Sequence, residues 1–213
     1  CSSSPQGVDG SFFQVSSRPL IIQNLRFMNA LVEHIREHDV LLTLRPNVHH
    51  KPVRSVTLGL VNRRNGGMGI SVATFEDAGQ LLFRLNALLK DKSLKGSPPS
   101  SYTSICVNFN YAAGLHVDRH NDGASHIIAG GNFEGGKLFV MKDTGCCSMT
   151  ATLDVSWPGG TPRIAAGQAV CGDELDLYHH WHKVQGQDPH GVTPFTGDRI
   201  SVVFFTASTR KLK

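Results

Sequence analysis

The run Leu115-His116-Val117-Asp118-Arg119-His120-Asn121 places three metal-capable side chains within one short segment. We expect this segment to be a strand that runs into a loop. Successive side chains of a strand point to opposite faces, so His116 and Asp118, two residues apart, leave the same face. One imidazole and one carboxylate on one face can hold a single ion. The run therefore predicts a metal site where a strand ends.

The downstream run 189–201 supplies a third ligand for the metal site and a positively charged side chain. His190 offers a third ligand, and Arg199 follows it as a fixed cation. Two histidines and one carboxylate that leave coordination positions open form the facial triad typical of non-haem Fe(II) oxygenases. The sequence thus predicts that His116, Asp118 and His190 are the metal ligands and carry catalysis through Fe(II).

Ferrous iron with three protein ligands keeps three positions for a chelating co-substrate and O2. A 2-oxo acid such as 2-oxoglutarate chelates through its keto oxygen and adjacent carboxylate, and its distal carboxylate then needs a cation. Arg199 fits this role, because a guanidinium grips a carboxylate at two points. Ser201 lies on the same strand face, so its hydroxyl reaches the same carboxylate. The expected chemistry is hydroxylation of a C–H bond by hydrogen abstraction and hydroxyl rebound.

Two other histidine patterns compete with this assignment. His120-Asn121-Asp122 is a second His-x-Asp pair, and His182 is a second downstream histidine. We favour the set with His190, because only His190 is followed by the proline, arginine and serine of the second run. His179 and His180, like His182, are interpreted as strand residues or as residues that support the ligands.

Length and composition bound the class of protein. At 213 residues and 40% hydrophobic composition, the chain can bury one core, which predicts a single domain. The net charge of +4 permits an anionic partner such as nucleic acid without requiring one. Five cysteines without a Cys-x-x-Cys pattern indicate free thiols in a reducing, intracellular compartment.

The sequence also bears on membranes and targeting. It has no apolar run of about 20 residues, the length that a membrane span needs, and no signal-peptide pattern. We therefore expect no membrane association. Because the chain begins at Cys1 rather than Met, we expect a fragment, from which a targeting segment can be missing.

The first hundred residues divide into an arm and a support region. Residues 1–18 are rich in Ser and Gly and predict a flexible arm, and residues 19–101 predict a support region of the same domain. The support region has these predicted elements: a helix within Pro19–Asp39, a hairpin of Ser55–Val61 and Met68–Val72 across Asn65-Gly66-Gly67, and a helix with an apolar stripe from Ala78 to Leu89 behind a Thr74/Asp77 cap.

Residues 102–213 change to β character and predict the catalytic core. The predicted strands are Ser104–Tyr111, Ser125–Ala129, Lys137–Met141, Met149–Val155, Glu174–His179 and Arg199–Thr206. Glycine pairs at Gly130-Gly131 and Gly135-Gly136 are interpreted as turns, and Asp143–Gly167 as an extra hairpin or lid. The fold class is therefore mainly β with flanking helices (α+β), a sandwich or barrel covered by helices on one side.

The metal, arginine and serine positions resemble the 2-oxoglutarate and Fe(II)-dependent dioxygenases. The resemblance extends over Tyr102–Thr206 and includes Phe133-Glu134-Gly135-Gly136-Lys137-Leu138, which is similar to a glycine-rich hairpin of many members. It implies a double-stranded β-helix, a jelly roll of two sheets with iron at its mouth, braced by the N-terminal helices. It implies the same ligands and the same co-substrate contacts as those given above.

Within that superfamily, His116-Val117-Asp118-Arg119-His120-Asn121 most resembles the TET/JBP group, which oxidises the methyl group of 5-methylcytosine or thymine in DNA. The resemblance implies that His120 and Asn121 contact the target base. Residues 181–206 are also similar to TET/JBP-like proteins of algae and protists. One algal type uses ascorbate, which makes ascorbate an alternative co-substrate. The Cys-rich zinc region of animal TET proteins is absent.

DNA as the substrate carries further expectations. The target base must be flipped into the pocket. With DNA as the substrate, the protein is expected in the nucleus. A monomer is expected whatever the substrate. Phosphate contacts are expected from some of the following basic residues: Arg45, Lys51, Arg54, Arg63, Arg64, Arg119 and the tail Arg210-Lys211-Leu212-Lys213.

Two other functions stay open from the sequence. One keeps the enzyme class and changes the substrate, to a protein side chain or to an alkylated base that is demethylated. The other is a catalytically inactive jelly roll that serves as a binding module. The complete set of ligands, arginine and serine argues against an inactive module.

Overall fold

The computed structural model describes residues 26–37, 42–43, 45, 48–49, 51–63, 67–71, 73, 78–157 and 163–208. Several sequence predictions fall elsewhere. Outside the described residues lie the arm 1–18, the ends of the first predicted helix, Arg64 with most of the Asn65-Gly66-Gly67 turn, the Thr74/Asp77 cap and the basic tail 210–213.

Two helices and thirteen strands make up the described chain. The helices are α1 (Arg26–Glu37) and α2 (Ala78–Leu89). The strands are β1 (Leu42–Thr43), β2 (Val53–Asn62), β3 (Met68–Ile70), β4 (Ser104–Phe109), β5 (Asn121–Gly135), β6 (Leu138–Met141), β7 (Cys147–Thr150), β8 (Val155–Ser156), β9 (Arg163–Ile164), β10 (Ala169–Leu175), β11 (His182–Gln185), β12 (His190–Val192) and β13 (Phe195–Ala207). No helix among these is long and apolar enough to cross a membrane.

The strands form two principal antiparallel sheets. The larger has the order β1-β2-β4-β13-β5-β11, with β3 paired to β2, and the smaller has the order β12-β6-β10-β7. One apolar cluster joins Phe133 and Val184 of the larger sheet to Leu138 and Val192 of the smaller sheet, so the sheets pack face to face. The predicted class, mainly β with flanking helices around a double-stranded β-helix, is confirmed.

Strand β13 shows how one face of the larger sheet packs against the helices and the other faces the interior. Ile200, Val202 and Phe204 are almost fully buried in the cluster that contains α1 and α2. Side chains alternate along a strand, so Arg199 and Ser201 point to the opposite face, toward the smaller sheet. The helices therefore cover the larger sheet from outside, as the order of predicted helices and strands indicated.

The pair Gly130-Gly131 lies inside β5 and is not a turn, so that prediction is wrong. Met28 of α1 packs against the sheet where a Cβ on Gly130 would stand. Gly131 has φ of 120°, and a Cβ there would collide with the carbonyl oxygen of Asp198 on the neighbouring strand. Both glycines allow close approach within a continuous strand, which a local sequence pattern cannot distinguish from a turn.

Several strand boundaries also differ from prediction. The strand predicted at Glu174–His179 begins five residues earlier, as β10, and ends at Leu175. The strand predicted at Met149–Val155 divides into β7 and β8, and β11 was not predicted as a separate strand. β5 begins at Asn121, because residues 121–122 pair with β13 beyond a bulge.

The described residues of Asp143–Gly167 pack against the smaller sheet. Val155 and Ile164 pack with Phe139 of β6 on the sheet's outer face. Leu115 and Val117, which flank His116, are buried in the same cluster. The described residues of this segment line no part of the cavity that holds the metal-capable cluster. The insertion therefore helps to anchor the ligand segment from behind.

Candidate metal centre

The His116–Asp118 segment is held by backbone contacts at isolated points. His116 and His190 form a single antiparallel bridge, in which each backbone N–H donates to the other's carbonyl oxygen at 2.9 Å. The N–H of Asp118 donates to the carbonyl oxygen of Gly186 at 2.7 Å. The predicted strand is thus reduced to one bridged residue, and tertiary contacts rather than a continuous ladder set the geometry.

These contacts bring three ligand-type side chains together. His116, Asp118 and His190 each present a donor atom, and the three atoms lie within 4.8 Å of one another. His116 Nε2 is 3.7 Å from Asp118 Oδ1, and His190 Nε2 is 3.9 Å from Asp118 Oδ2. Among the described residues this is one group of three such side chains, and it is the set that the sequence favoured.

Each histidine is oriented by its other ring nitrogen. His116 Nδ1 is 2.8 Å from the carbonyl oxygen of Gly114, and His190 Nδ1 is 2.8 Å from that of Asp188. A carbonyl oxygen only accepts, so Nδ1 carries the proton and Nε2 is left as a lone-pair donor toward the cluster. Burial, together with the neighbouring His190 ring, lowers the pKa of His116 to about 3. A neutral imidazole is the form that binds a metal.

The carboxylate of Asp118 has its own support. Asn121 Nδ2 donates to Asp118 Oδ2 at 2.9 Å and lies 3.2 Å from Ser125 Oγ. Asn121 is 9% exposed, at the start of β5. Gly186 adjoins the same group, since a Cβ there would stand 3.0 Å from Asp118 Cβ and 3.1 Å from Oδ2.

The three side chains form part of the wall of a cavity between the sheets. Its volume is about 130 Å³. The rest of the wall includes apolar side chains from both sheets, such as Ile127, Leu138, Val192 and Phe205, and polar groups from Arg45, Tyr111 and Asn121. An apolar cavity with a few convergent polar groups is the usual form of a small-molecule site.

Arg45, which the sequence suggested only among possible phosphate contacts, lines this cavity. Its Nη1 donates to the hydroxyl of Tyr111 at 3.0 Å, and Tyr111 in turn donates to Asn108 Oδ1 at 2.9 Å. The Asp118 carboxylate is among the neighbours that raise the pKa of Arg45 above its ordinary value, despite the opposing effect of burial. Sequence reasoning missed Arg45, Tyr111 and Asn108 as site residues, because no motif connects them to the metal ligands.

Arg54, also expected among the phosphate contacts, is half-buried against α1 and the larger sheet. Arg54 donates to the carbonyl oxygen of Ile35 in α1 at 3.4 Å, and its guanidinium lies 4.3 Å from the centre of the Phe109 ring. It therefore bridges α1 and the sheet. By contrast, Lys51, Arg63 and Arg119 are exposed.

Arg199 is buried at 2% exposure on the interior face of β13. Its Nε donates to the carbonyl oxygen of Gly136 at 3.1 Å, and its guanidinium lies 5.5 Å and 5.6 Å from the rings of Phe133 and Phe195. Its Nη2 is buried without a hydrogen-bond partner among the described residues. Burial lowers the pKa of Arg199 to about 10. A buried guanidinium that pairs with no carboxylate among the described residues has a free N–H to offer to an anion.

Ser201 continues the same face toward the cavity. It is 4% exposed, and its hydroxyl lies 3.4 Å from Nδ2 of Asn108, the residue that also accepts from Tyr111. Val203 and Phe205, further along β13, line the cavity, whereas Arg199 and Ser201 lie behind its present wall. The interior face of one strand therefore runs from the metal cavity to the buried guanidinium.

The remaining predicted residues lie outside the cluster. His120 is exposed, and its carbonyl oxygen accepts the N–H of Ser208 at 2.6 Å. Asp122, its partner in the alternative His-x-Asp pair, is also exposed. The ring of His182 lies 4.2 Å from that of His180, and its Nε2 is 3.0 Å from the carbonyl oxygen of Asp176. Within the described ranges, neither alternative belongs to a group of three metal-capable side chains.

Fold and site together define a double-stranded β-helix protein with a His-Asp-His cluster in its interior. No protein-family model and no curated protein matches the chain. Among solved structures, NgTET1 in complex with 5mC DNA is similar at 16% identity and a TM-score of 0.41, covering 75% of this chain and 62% of that chain. This chain thus spans less than two thirds of that protein's length. An oxidoreductase of the 2OG-Fe(II) oxygenase family from Burkholderia pseudomallei is similar at 16% identity and a TM-score of 0.42, covering 85% and 82%.

Proposed function

We propose that this chain is an Fe(II)- and 2-oxoglutarate-dependent dioxygenase. One observation carries the proposal: His116 Nε2, His190 Nε2 and the Asp118 carboxylate converge within 4.8 Å at the wall of a partly apolar cavity. Each histidine is fixed in the tautomer that a metal requires. Two imidazoles and one carboxylate on one side of an ion suit Fe(II) and leave the other side open.

The residues present also fit a 2-oxo acid. Arg199 offers a buried guanidinium whose Nη2 has no hydrogen-bond partner in the described part of the chain, and Ser201 offers a hydroxyl on the same strand face. Together they would hold a distal carboxylate, with the aromatic rings of Phe133 and Phe195 keeping water away from the pair. Arg45, which lines the cavity itself, is the second cation that such an acid would meet.

Bound Fe(II) and 2-oxoglutarate supply oxidative decarboxylation of the acid coupled to hydroxylation of a C–H bond. The chain's own part is to bind and to orient. Gly114 and Asp188 hold the ligand imidazoles through their carbonyl oxygens, and the apolar wall excludes water from the reacting groups.

For the substrate, we propose the methyl group of 5-methylcytosine or thymine in DNA. The support is the resemblance of the 116–121 motif to the TET/JBP group. Exposed Arg119 and His120 directly follow the ligand Asp118 and are available to a nucleic acid. Such a substrate requires a flipped base, and Lys51 and Arg63 are exposed cations for its phosphates.

The test is anaerobic reconstitution with Fe(II), followed by air, 2-oxoglutarate and a duplex that contains 5-methylcytosine. Succinate and modified nucleosides are read by mass spectrometry. His190→Ala should abolish both products, and His182→Ala, which changes a half-buried histidine outside the cluster, should retain both. One parallel reaction contains a duplex with thymine but without 5-methylcytosine. Another contains ascorbate in place of 2-oxoglutarate.

The outcomes test the enzyme class and the DNA substrate independently of each other. Succinate that depends on His190 without any altered nucleoside would keep the class and refute the DNA substrate. The absence of succinate would refute the class, and turnover with ascorbate alone would replace the co-substrate.

A further inference from the structure

Asn121 makes contacts that its expected role as a base contact does not explain. Its side-chain amide is directed at the protein's own ligand, with Nδ2 2.9 Å from Asp118 Oδ2. The same nitrogen is 3.2 Å from Ser125 Oγ, four residues along β5. Asn121 is 9% exposed and its backbone pairs with Ala207 of β13, so the side chain starts from a fixed position.

The two oxygens of Asp118 are consequently different. Each oxygen lies near one histidine, Oδ1 3.7 Å from His116 Nε2 and Oδ2 3.9 Å from His190 Nε2. Oδ2 also accepts the amide N–H of Asn121, whereas Oδ1 accepts no hydrogen bond among the described residues. A carboxylate whose one oxygen is held by an amide is prepared to bind an ion through the other. Binding through both oxygens would take one of the positions that a chelating co-substrate needs.

We propose that Asn121 is a positioning residue that keeps Asp118 a one-oxygen ligand and presents its Oδ1 to the metal. The inference rests on the proposed function, because it concerns the same metal site. Groups that orient a metal ligand typically contribute 10–100-fold to metal affinity. Asn121 would exert this effect without DNA, which separates it from a base contact.

Gly186 provides an independent way to disturb the same carboxylate. Its carbonyl oxygen accepts the N–H of Asp118, and a Cβ added there would stand 3.0 Å from Asp118 Cβ and 3.3 Å from Asn121 Nδ2. These distances are shorter than ordinary contacts, so the carboxylate or the amide must move. Gly186→Ala should therefore weaken metal binding while leaving the Asn121 side chain chemically intact.

The experiment is a Co(II) titration of the full chain, followed by visible absorption, in the absence of DNA and 2-oxoglutarate. Asn121→Ala should weaken Co(II) binding about tenfold or more. Asn132→Ala is the matched control, since Asn132 is an exposed asparagine on the same strand, and its affinity should equal that of the wild type. Circular dichroism and thermal melting establish that each variant is folded.

The outcomes distinguish this inference from the proposed function. If the wild type binds Co(II), His190→Ala abolishes binding and Asn121→Ala binds as the wild type does, Asn121 does not position Asp118. If the wild type binds no Co(II), or His190→Ala binds it equally well, the metal site itself is wrong. Should Asn121→Ala not fold, Gly186→Ala decides by the same tenfold criterion, and unchanged affinity there overturns the inference.

Discussion

Replacement of Arg199 by methionine should make the protein without co-substrate more stable and unable to bind 2-oxoglutarate. Arg199 is 2% exposed, and no carboxylate among the described residues pairs with it. Burial lowers its pKa to about 10, below the ordinary value of about 12.5. The difference corresponds to roughly 3 kcal/mol against the charged form.

The pH dependence follows from the direction of this pKa change. The folded state binds the proton less tightly than the unfolded state does, so the penalty is fully present at neutral pH. It decreases only as the pH rises through about 10. Measurements at pH 7 therefore see the whole effect.

Methionine has a similar length and removes the charge. It also removes the hydrogen bond from Nε to the carbonyl oxygen of Gly136, a loss of about 1 kcal/mol. The expected net gain is about 2 kcal/mol, which raises the melting temperature of a chain this long by about 4–8 °C.

Thermal melting, with and without the non-reacting analogue N-oxalylglycine and with Mn(II) in place of Fe(II), tests both halves of the prediction. The analogue should stabilise the wild type and leave Arg199→Met unchanged. Arg45→Met is the comparison, because Arg45 lines the cavity and Arg199 does not. A destabilised Arg199→Met that still responds to the analogue would refute the reasoning, and loss of the response only in Arg45→Met would move the carboxylate contact to Arg45.

Three further predictions concern the ligands and the sheets. The free energy of unfolding without metal should fall by about 1.4 kcal/mol per pH unit as the pH drops below about 6.5 toward 3, because His116 binds a proton in the unfolded state and stays neutral when buried. In His116→Gln, the slope of the free energy of unfolding in urea against pH should be smaller. An unchanged slope would contradict the assignment of this proton to His116. Gly131→Ala should destabilise the fold by more than 1 kcal/mol in urea unfolding, since φ is 120° and the carbonyl oxygen of Asp198 occupies the place of the Cβ. Gly79→Ala is the control and should be neutral or stabilising, because Gly79 lies at an open position of α2. Phe139→Ala should cost about 3–5 kcal/mol, because Phe139 is fully buried where the insertion covers the smaller sheet; a cost near zero would mean that this cluster contributes little.

The sequence predicted the fold class because the signal for β-structure is distributed over many strands. The predicted strand Arg199–Thr206 lies within β13, and the apolar stripe in α2 predicted a buried helix face. The predicted strand boundaries were wrong where long-range contacts determine them. Gly130-Gly131 reads as a turn in any local window, and only the presence of Met28 and Asp198 makes it a strand.

In the site, too, a sequence motif could predict some residues, whereas only tertiary contacts bring the others to the cavity. His116, Asp118 and His190 could be selected because a metal requires particular ligand types, and few spacings satisfy that requirement. Arg45 could not be selected, since its place in the cavity depends on Tyr111 and Asn108, which lie some sixty residues away in the chain. Asn121 was chosen by its motif, yet the motif could not reveal that its amide is directed at Asp118. A motif identifies which atoms bind an ion, whereas the hydrogen bonds that orient those atoms are set by the packing of distant strands and become visible only in the folded chain.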